Sequence, residues 1–142
     1  MKLLVAVDGS ECSARAVAYA INRIRQSAAP DQCELHLLNV QTPLTGRAGT
    51  FVSGQDIKEY HREEGLKELA PAQALAAAAS VNCRIHIDVG SPADVINRYA
   101  RDLQMDEIVM GTRGHGNLAD IVMGSTSEDV LRATSLPVVL IR

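Results

Sequence analysis

The chain has 142 residues, 46% of them hydrophobic, and a formal net charge of −3 at pH 7. This length and apolar content are typical of one domain with one core, so we expect a single domain over residues 1–142. Aromatic residues make up only 3% and Trp is absent, so few side chains are available to stack on bases. Lys occurs at only three positions, which leaves no basic patch to neutralise phosphates. Both features argue against a nucleic-acid-binding protein.

The cysteines indicate a reducing compartment. Cys12, Cys33 and Cys83 are odd in number and far apart, and they form neither a Cys-x-x-Cys pair nor a secreted disulfide pattern. The first apolar run ends at Asp8, too early for a signal peptide, and no run approaches the roughly 18 apolar residues that a membrane span requires. We therefore expect a cytoplasmic protein without a membrane partner.

The first half of the chain begins with a strand, a turn and a helix. Lys2 to Val7 is a continuous apolar run, and the turn residues 8–10 separate it from apolar positions at helical spacing. A second strand is predicted from Cys33 to Val40. The segment from Gln41 to Gly54 is rich in Gly, Thr, Ser and Pro and reads as a loop that is longer than most.

Helices and strands continue to alternate after this loop. A charged helical segment starts near Gln55, and Pro71 is expected to divide it into two helices. A third strand follows from Asn82 to Val89, and a further helix opens at Pro92, a residue that suits a first helical turn.

The last third predicts a fourth strand from Glu107 to Met110, a helix from Thr126 to Ala133 and a fifth strand from Pro137 to Ile141. Alternating strands and helices imply right-handed crossovers and a parallel sheet covered on both faces. The predicted fold class is α/β, a single-domain, doubly wound parallel sheet of five strands.

Strand composition predicts the order of the strands. The first, fourth and fifth are apolar at successive positions, as strands buried on both faces should be. The second and third alternate, with His36 and His86 on one face, where we expect them to be solvated. This places the first and fourth strands centrally and gives the order 3-2-1-4-5.

The predicted order leaves an apolar strand at one edge of the sheet. Such an edge pairs readily with another chain, so we expect a homodimer. The predicted interface residues are Val138, Val139, Leu140 and Ile141.

The main candidate for chemistry is a glycine pattern, Gly111-x2-Gly114-x9-Gly124-Ser125. It begins directly after a buried strand and opens a helix, which is where a parallel sheet places a phosphate. The glycines are expected to allow sharp turns and to remove Cβ atoms that would collide with an anion. Glycines that serve only a turn are the alternative.

Three stretches resemble the universal stress protein family over essentially the whole chain: VAVDGS at 5–10, GSPADVI at 90–96, and the glycine pattern followed by SLPVVLIR at 135–142. The resemblance implies a Rossmann-like, adenine nucleotide alpha hydrolase-like fold with the order 3-2-1-4-5. It also implies frequent homodimers through the last strand, and ATP binding in the subgroup that keeps the glycine pattern.

The resemblance also assigns positions around a nucleotide. Asp8, with Ala6 and Val7 beside it, matches the acidic residue next to the nucleotide, and Val40 matches the adenine-contacting position. The ribose and phosphate cradle matches Met110, Gly111, Gly114, Gly124, Ser125 and Thr126.

Other roles remain hypotheses. Contact of Arg113 and His115 with phosphate is one, and a lid formed by residues 41–54 is another. Asp8 has a second possible role as a helix N-cap, since Glu11 stands three residues later as in a capping box. The histidines show no metal-ligand spacing, so we assign no metal site, and any Mg²⁺ would arrive with the nucleotide.

The resemblance implies a stress-response protein, the glycine pattern favours a nucleotide sensor or regulator over an enzyme, and we assign no catalytic residue. A nucleotide hydrolase would present G-x4-G-K-[S/T], and the glycine stretch contains no Lys. His115 or Asp120 would have to position water, so at most weak ATP hydrolysis is expected. Two alternatives stay open: AMP or cyclic AMP as the ligand, and a structural or chaperone-like dimer whose glycine loop is empty.

Overall fold

A computed structural model describes residues 1–44, 53–114 and 123–142. No helix in this part of the chain is long and apolar enough to cross a membrane. A 3₁₀ turn, Pro30–Gln32, precedes the second strand. The strands are β1 (Lys2–Ala6), β2 (Glu34–Gln41), β3 (Cys83–Val89), β4 (Glu107–Gly111) and β5 (Val138–Ile141); the helices are α1 (Glu11–Arg25), α2 (Gly54–Ala78), α3 (Pro92–Asp102) and α4 (Ser125–Ala133).

The sheet confirms the predicted fold class and strand order. All pairings are parallel and the order is β3-β2-β1-β4-β5. The central strand β1 pairs on both sides, because Leu4 lies opposite His36 in β2 and Ile108 in β4. Helices cover both faces of the sheet at these central strands, which explains why β1 and β4 are apolar at successive positions.

Two cores cover the two faces of the sheet. On one face, Leu3 and Val5 of β1 pack with Val17 of α1 and Leu69 of α2. On the other face, Leu4 packs in a cluster to which α3 and α4 contribute. Because α1 and α4 follow neighbouring strands to opposite faces, a crevice opens between the carboxyl ends of β1 and β4.

The prediction that Pro71 divides the second helical segment is wrong, since α2 runs without a break from Gly54 to Ala78. Proline removes one backbone donor and disturbs the carbonyl four residues earlier, at a cost of about 3 kcal/mol. Leu69 and Ala72, on either side of Pro71, are both buried against the sheet. This packing holds the helix together, and it depends on residues distant in sequence.

The prediction that His36 is solvated is also wrong, because its side chain is buried beneath α3. Its Nε2 lies 3.0 Å from Glu34 Oε2, and its Nδ1 lies 2.9 Å from His86 Nε2. The two imidazole rings are nearly parallel, and the ring of Tyr99 from α3 lies 5.2 Å from that of His86. A carboxylate and two histidines therefore form a hydrogen-bonded row across β2 and β3.

This row makes the stability of the protein depend on pH. Burial, together with the charges of His36 and Arg84, holds the pKa of His86 below its ordinary value of 6.5. Below pH 6.5 the unfolded chain protonates this histidine more readily than the folded protein does. The contribution of neutral His86 to the free energy of unfolding is therefore fully present above pH 6.5 and decreases as the pH falls.

We predict that the free energy of unfolding, measured with urea, decreases from about pH 7.5 to about pH 5.5, and decreases less in His86→Gln. Glu34 does not interfere in this range, because the hydrogen bond from His36 lowers the pKa of its carboxyl below the ordinary 4.5. Equal pH dependence in the two proteins would contradict the assignment to His86.

Candidate functional site

A cavity of about 440 Å³ opens in the crevice between the carboxyl ends of β1 and β4. Its size is within the range of small-molecule sites. The sequence-predicted residues that line it are Ala6, Val7, Asp8, Val40, Met110, Gly111, Arg113, Gly114, Gly124, Ser125 and Thr126. His115 lies outside the described residues, and so do residues 45–52, the central part of the 41–54 segment of the lid hypothesis.

Other wall residues were missed at the sequence level: Ser13, Pro92, Ile96, Thr112, Met123 and Ser127. A signal for two of them was present, since Pro92 and Ile96 belong to the GSPADVI stretch at the start of α3. Nothing in the sequence indicates that Ser13, in the first turn of α1, faces the same cavity. Its position depends on how α1 leaves β1.

The N-terminus of α4 supplies backbone donors to this cavity. Gly124 is the N-cap, and no side chain caps the helix. The first backbone hydrogen bond of the helix runs from Glu128 N–H to Gly124 O, so the amides of residues 125–127 precede it. Ser125 and Thr126 line the cavity, and the amides and positive dipole end of a first helical turn favour an anion.

The glycines serve different purposes from those expected. A φ between +20° and +160° is found at Gly9 and Gly90, but not at Gly111, Gly114 or Gly124. The three motif glycines are therefore not required for a left-handed backbone conformation.

Gly111 is required for packing inside the protein. A Cβ added there would lie 2.8 Å from Cys12 Sγ and 3.1 Å from the carbonyl carbon of Cys12. The absence of a side chain lets the end of β4 approach the first turn of α1. Steric relief at Gly111 thus concerns Cys12, whereas the prediction had assigned it to the ligand.

Gly114 lies against the carboxylate of Asp8 on the cavity wall. A Cβ at residue 114 would lie 2.6 Å from Asp8 Oδ2, while Asp8 Oδ1 accepts a hydrogen bond from Ser10 N–H at 2.9 Å. The N-cap of α1 is Ser10, whose hydroxyl accepts from Ser13 N–H. The alternative of Asp8 as N-cap is therefore wrong, and Asp8 is one of the residues that line the cavity.

The two halves of the glycine pattern are joined at Thr112. Gly124 N–H donates to Thr112 O, and Thr112 N–H donates to Ile141 O at the end of β5. A Cβ at Gly124 would lie 3.3 Å from Thr112 O, which leaves little room for a side chain. The start of α4 is thereby fixed beside the end of β4.

Cys12, in the first turn of α1, lies beside Gly111, Thr112 and Arg113 at the end of β4. Burial raises the pKa of its thiol, but the backbone N–H groups of Arg113 and Thr112 outweigh burial, so the pKa is lowered overall. Its Sγ also lies 2.9 Å from Ile141 O. Within the described residues, no group of three or more His, Cys, Asp or Glu is placed to hold a metal ion.

The geometry defines a doubly wound α/β protein with a cleft at the crossover point of its sheet, lined by the first turn of a helix. The sequence matches the universal stress protein family over residues 1–142, so the chain belongs to this family. It is 33% identical to the universal stress protein YxiE of Bacillus subtilis, over 99% of this chain and 98% of that protein.

Solved structures agree with this membership. The structure of MJ0577, a universal stress protein of Methanocaldococcus jannaschii, has a TM-score of 0.80 at 26% identity and covers 99% of this chain and 94% of that chain. A universal stress protein in complex with cAMP has a TM-score of 0.71 at 24% identity, with 100% and 97% covered. This second likeness shows the shared fold.

We predict that Gly111→Ala destabilises the protein by about 1–3 kcal/mol, because the new methyl group overpacks the contact with Cys12. The matched control is Gly54→Ala, since a Cβ at Gly54 would meet no atom within 4 Å. Urea unfolding measures both. A Gly111→Ala protein as stable as the control would show that β4 and α1 separate without cost.

Proposed function

We propose that this protein binds ATP in the cavity between β1 and β4 and acts as a stress-response sensor or regulator in the cytoplasm. The observation that carries the proposal is that Ser125 and Thr126, in the first turn of α4, and the acidic residue Asp8 line one cavity. These two features attract opposite ends of a nucleotide.

The charges decide which end of the ligand lies where. The Asp8 carboxylate repels phosphate, and it accepts hydrogen bonds from ribose hydroxyl or amino groups. Val7 and Val40 add an apolar wall on the same side, suited to a purine base. We therefore propose that the phosphates lie toward the first turn of α4, with Arg113, which also lines the cavity, as a further candidate contact.

The proposal leaves open which adenine nucleotide is the ligand. Backbone amides at a helix N-terminus bind phosphate oxygens whatever the number of phosphate groups in the ligand, so AMP and cyclic AMP are alternatives to ATP. The family protein crystallised with cAMP supports the ligand class. Mg²⁺ would be held chiefly by the phosphates of the ligand, as this ion usually is.

Binding without efficient catalysis follows from the residues available. No Lys lies between Gly111 and Thr126, so the cation that bridges terminal phosphates in P-loop hydrolases is missing. We propose that hydrolysis is slow or absent. A slow ATP hydrolase, and a structural dimer with an empty cavity, are the rival functions.

Calorimetric titration with ATP, AMP and cyclic AMP tests the proposal, with micromolar affinity (about 8 kcal/mol) expected for the preferred ligand. Absence of binding for all three would favour the structural dimer. Turnover of ATP at about 1 per second or faster would establish an enzyme instead.

We predict that Gly114→Val and Gly124→Val abolish nucleotide binding and leave the fold nearly intact. A side chain at residue 114 meets Asp8, and one at residue 124 meets Thr112 O at the base of the phosphate cradle. Gly54→Val is the control, because a Cβ at Gly54 meets open space. Wild-type affinity in either site variant would contradict the placement of the ligand.

We further propose a homodimer through β5, the edge strand next to β4. Pro137 O and Ile141 O accept hydrogen bonds from the β4 side. Because backbone groups alternate along a strand, the N–H groups of Val138 and Leu140 face away from β4 and are available to a second copy.

We predict that Leu140→Pro prevents dimerisation, because it removes the backbone N–H of residue 140 that faces away from β4. Proline is tolerated at such an edge position. Sedimentation should find a dimer for the wild-type protein and a folded monomer for the variant, with circular dichroism as the check on folding. A wild-type monomer, or a folded variant that remains dimeric, would contradict the β5 interface.

A further inference from the structure

Asn39 is a fully buried polar residue of β2 whose partners connect three elements. Its Nδ2 donates to Val7 O at 2.8 Å and to Glu68 Oε2 of α2 at 2.5 Å. Its Oδ1 accepts from Gln41 Nε2 at 2.7 Å. Because a buried amide is costly without partners, three hydrogen bonds fix this side chain in one position.

The partners also fix which way the amide group faces. A carbonyl oxygen and a carboxylate oxygen only accept hydrogen bonds, so the nitrogen of Asn39 must face Val7 and Glu68. Gln41 donates to the remaining oxygen. Aspartate at this position would have nearly the same shape but would place oxygen against oxygen at two contacts.

The contact with Val7 lies where β1 turns toward the cavity. The paired stretch of β1 and β2 ends at Ala6 and Leu38, and Val7 N–H still donates to Leu38 O. Beyond this point the chain departs through Asp8 and Gly9, where φ is 81°. The Asn39 amide therefore holds the last carbonyl before the segment that carries Asp8.

Val7 and Asp8 form one wall of the cavity, and Val40, the neighbour of Asn39, lies on the same side. Asn39 itself does not line the cavity and is fully buried. Its influence on a ligand must pass through Val7 O. A small shift of the peptide between Val7 and Asp8 would move the Asp8 carboxylate away from the groups it binds.

We propose that Asn39, held by Glu68 of α2, is a positioning residue that fixes Val7 and Asp8 for recognition of the nucleoside part of the ligand. This inference rests on the proposed binding of an adenine nucleotide. It assigns Asn39 no part in holding phosphate, because Asn39 does not line the cavity and its side-chain hydrogen bonds go to Val7, Glu68 and Gln41.

The primary test compares Asn39→Asp with the wild-type protein in titrations with ATP, adenosine and inorganic tripolyphosphate. We expect the affinity for ATP and adenosine to fall about tenfold or more, and that for tripolyphosphate to change less than about twofold. A purely structural role would weaken all three probes together. Asn22→Asp on the exposed surface of α1 is the control for the added negative charge.

A second pair of variants keeps the test valid if Asn39→Asp does not fold. Glu68 is only half-buried, so Glu68→Ala removes one acceptor of Asn39 with a smaller effect on the core. We expect a loss of affinity of about threefold for adenosine in Glu68→Ala, and recovery in Glu68→Gln, which retains an acceptor oxygen.

The outcomes separate this inference from the proposed function. If the wild-type protein binds neither ATP nor adenosine, the proposed function fails and the role of Asn39 fails with it. If the wild-type protein binds ATP and folded Asn39→Asp binds it equally well, only the positioning role is overturned. Equal losses for adenosine and tripolyphosphate would also overturn it.

Discussion

The site depends on one constraint: β1 and β4 are neighbours in a parallel sheet, and the helices that follow them cover opposite faces. Their carboxyl ends separate, and the first turn of α4 is left with amides that no earlier residue of the helix can satisfy. Larger side chains at this point would occupy the crevice. The chain instead has Gly111, Gly114 and Gly124 around it.

Each glycine contributes through a different contact. Gly111 lets β4 approach Cys12 of α1, Gly114 leaves room for the Asp8 carboxylate, and Gly124 brings the start of α4 to Thr112 O. Gly111 sets the distance between β4 and α1, whereas Gly114 and Gly124 shape the cavity wall that a ligand would contact. The motif glycines therefore serve the packing of β4, α1 and α4 as well as the shape of the cavity wall.

Sheet order was predictable because β1 and β4 are apolar at successive positions, as central strands are, and many of the cavity residues were predictable through the family resemblance. The errors arose from contacts between distant residues. The packing of Leu69 and Ala72 holds α2 together across Pro71, α3 buries His36, and Ser10 takes the cap that Asp8 could have formed. Asn39 gave no sequence signal, since its partners Val7 and Glu68 lie in separate elements.

The central claim is that freed amides at the start of α4 bind phosphate while Asp8 faces the nucleoside. Its most direct test is an NMR titration of isotope-labelled protein with ATP, following backbone amide resonances. The largest shifts should occur at Gly114, Ser125 and Thr126, with a second group at Val7 and Asp8. No shift at millimolar ATP, or shifts concentrated at the opposite end of the sheet, would contradict this account.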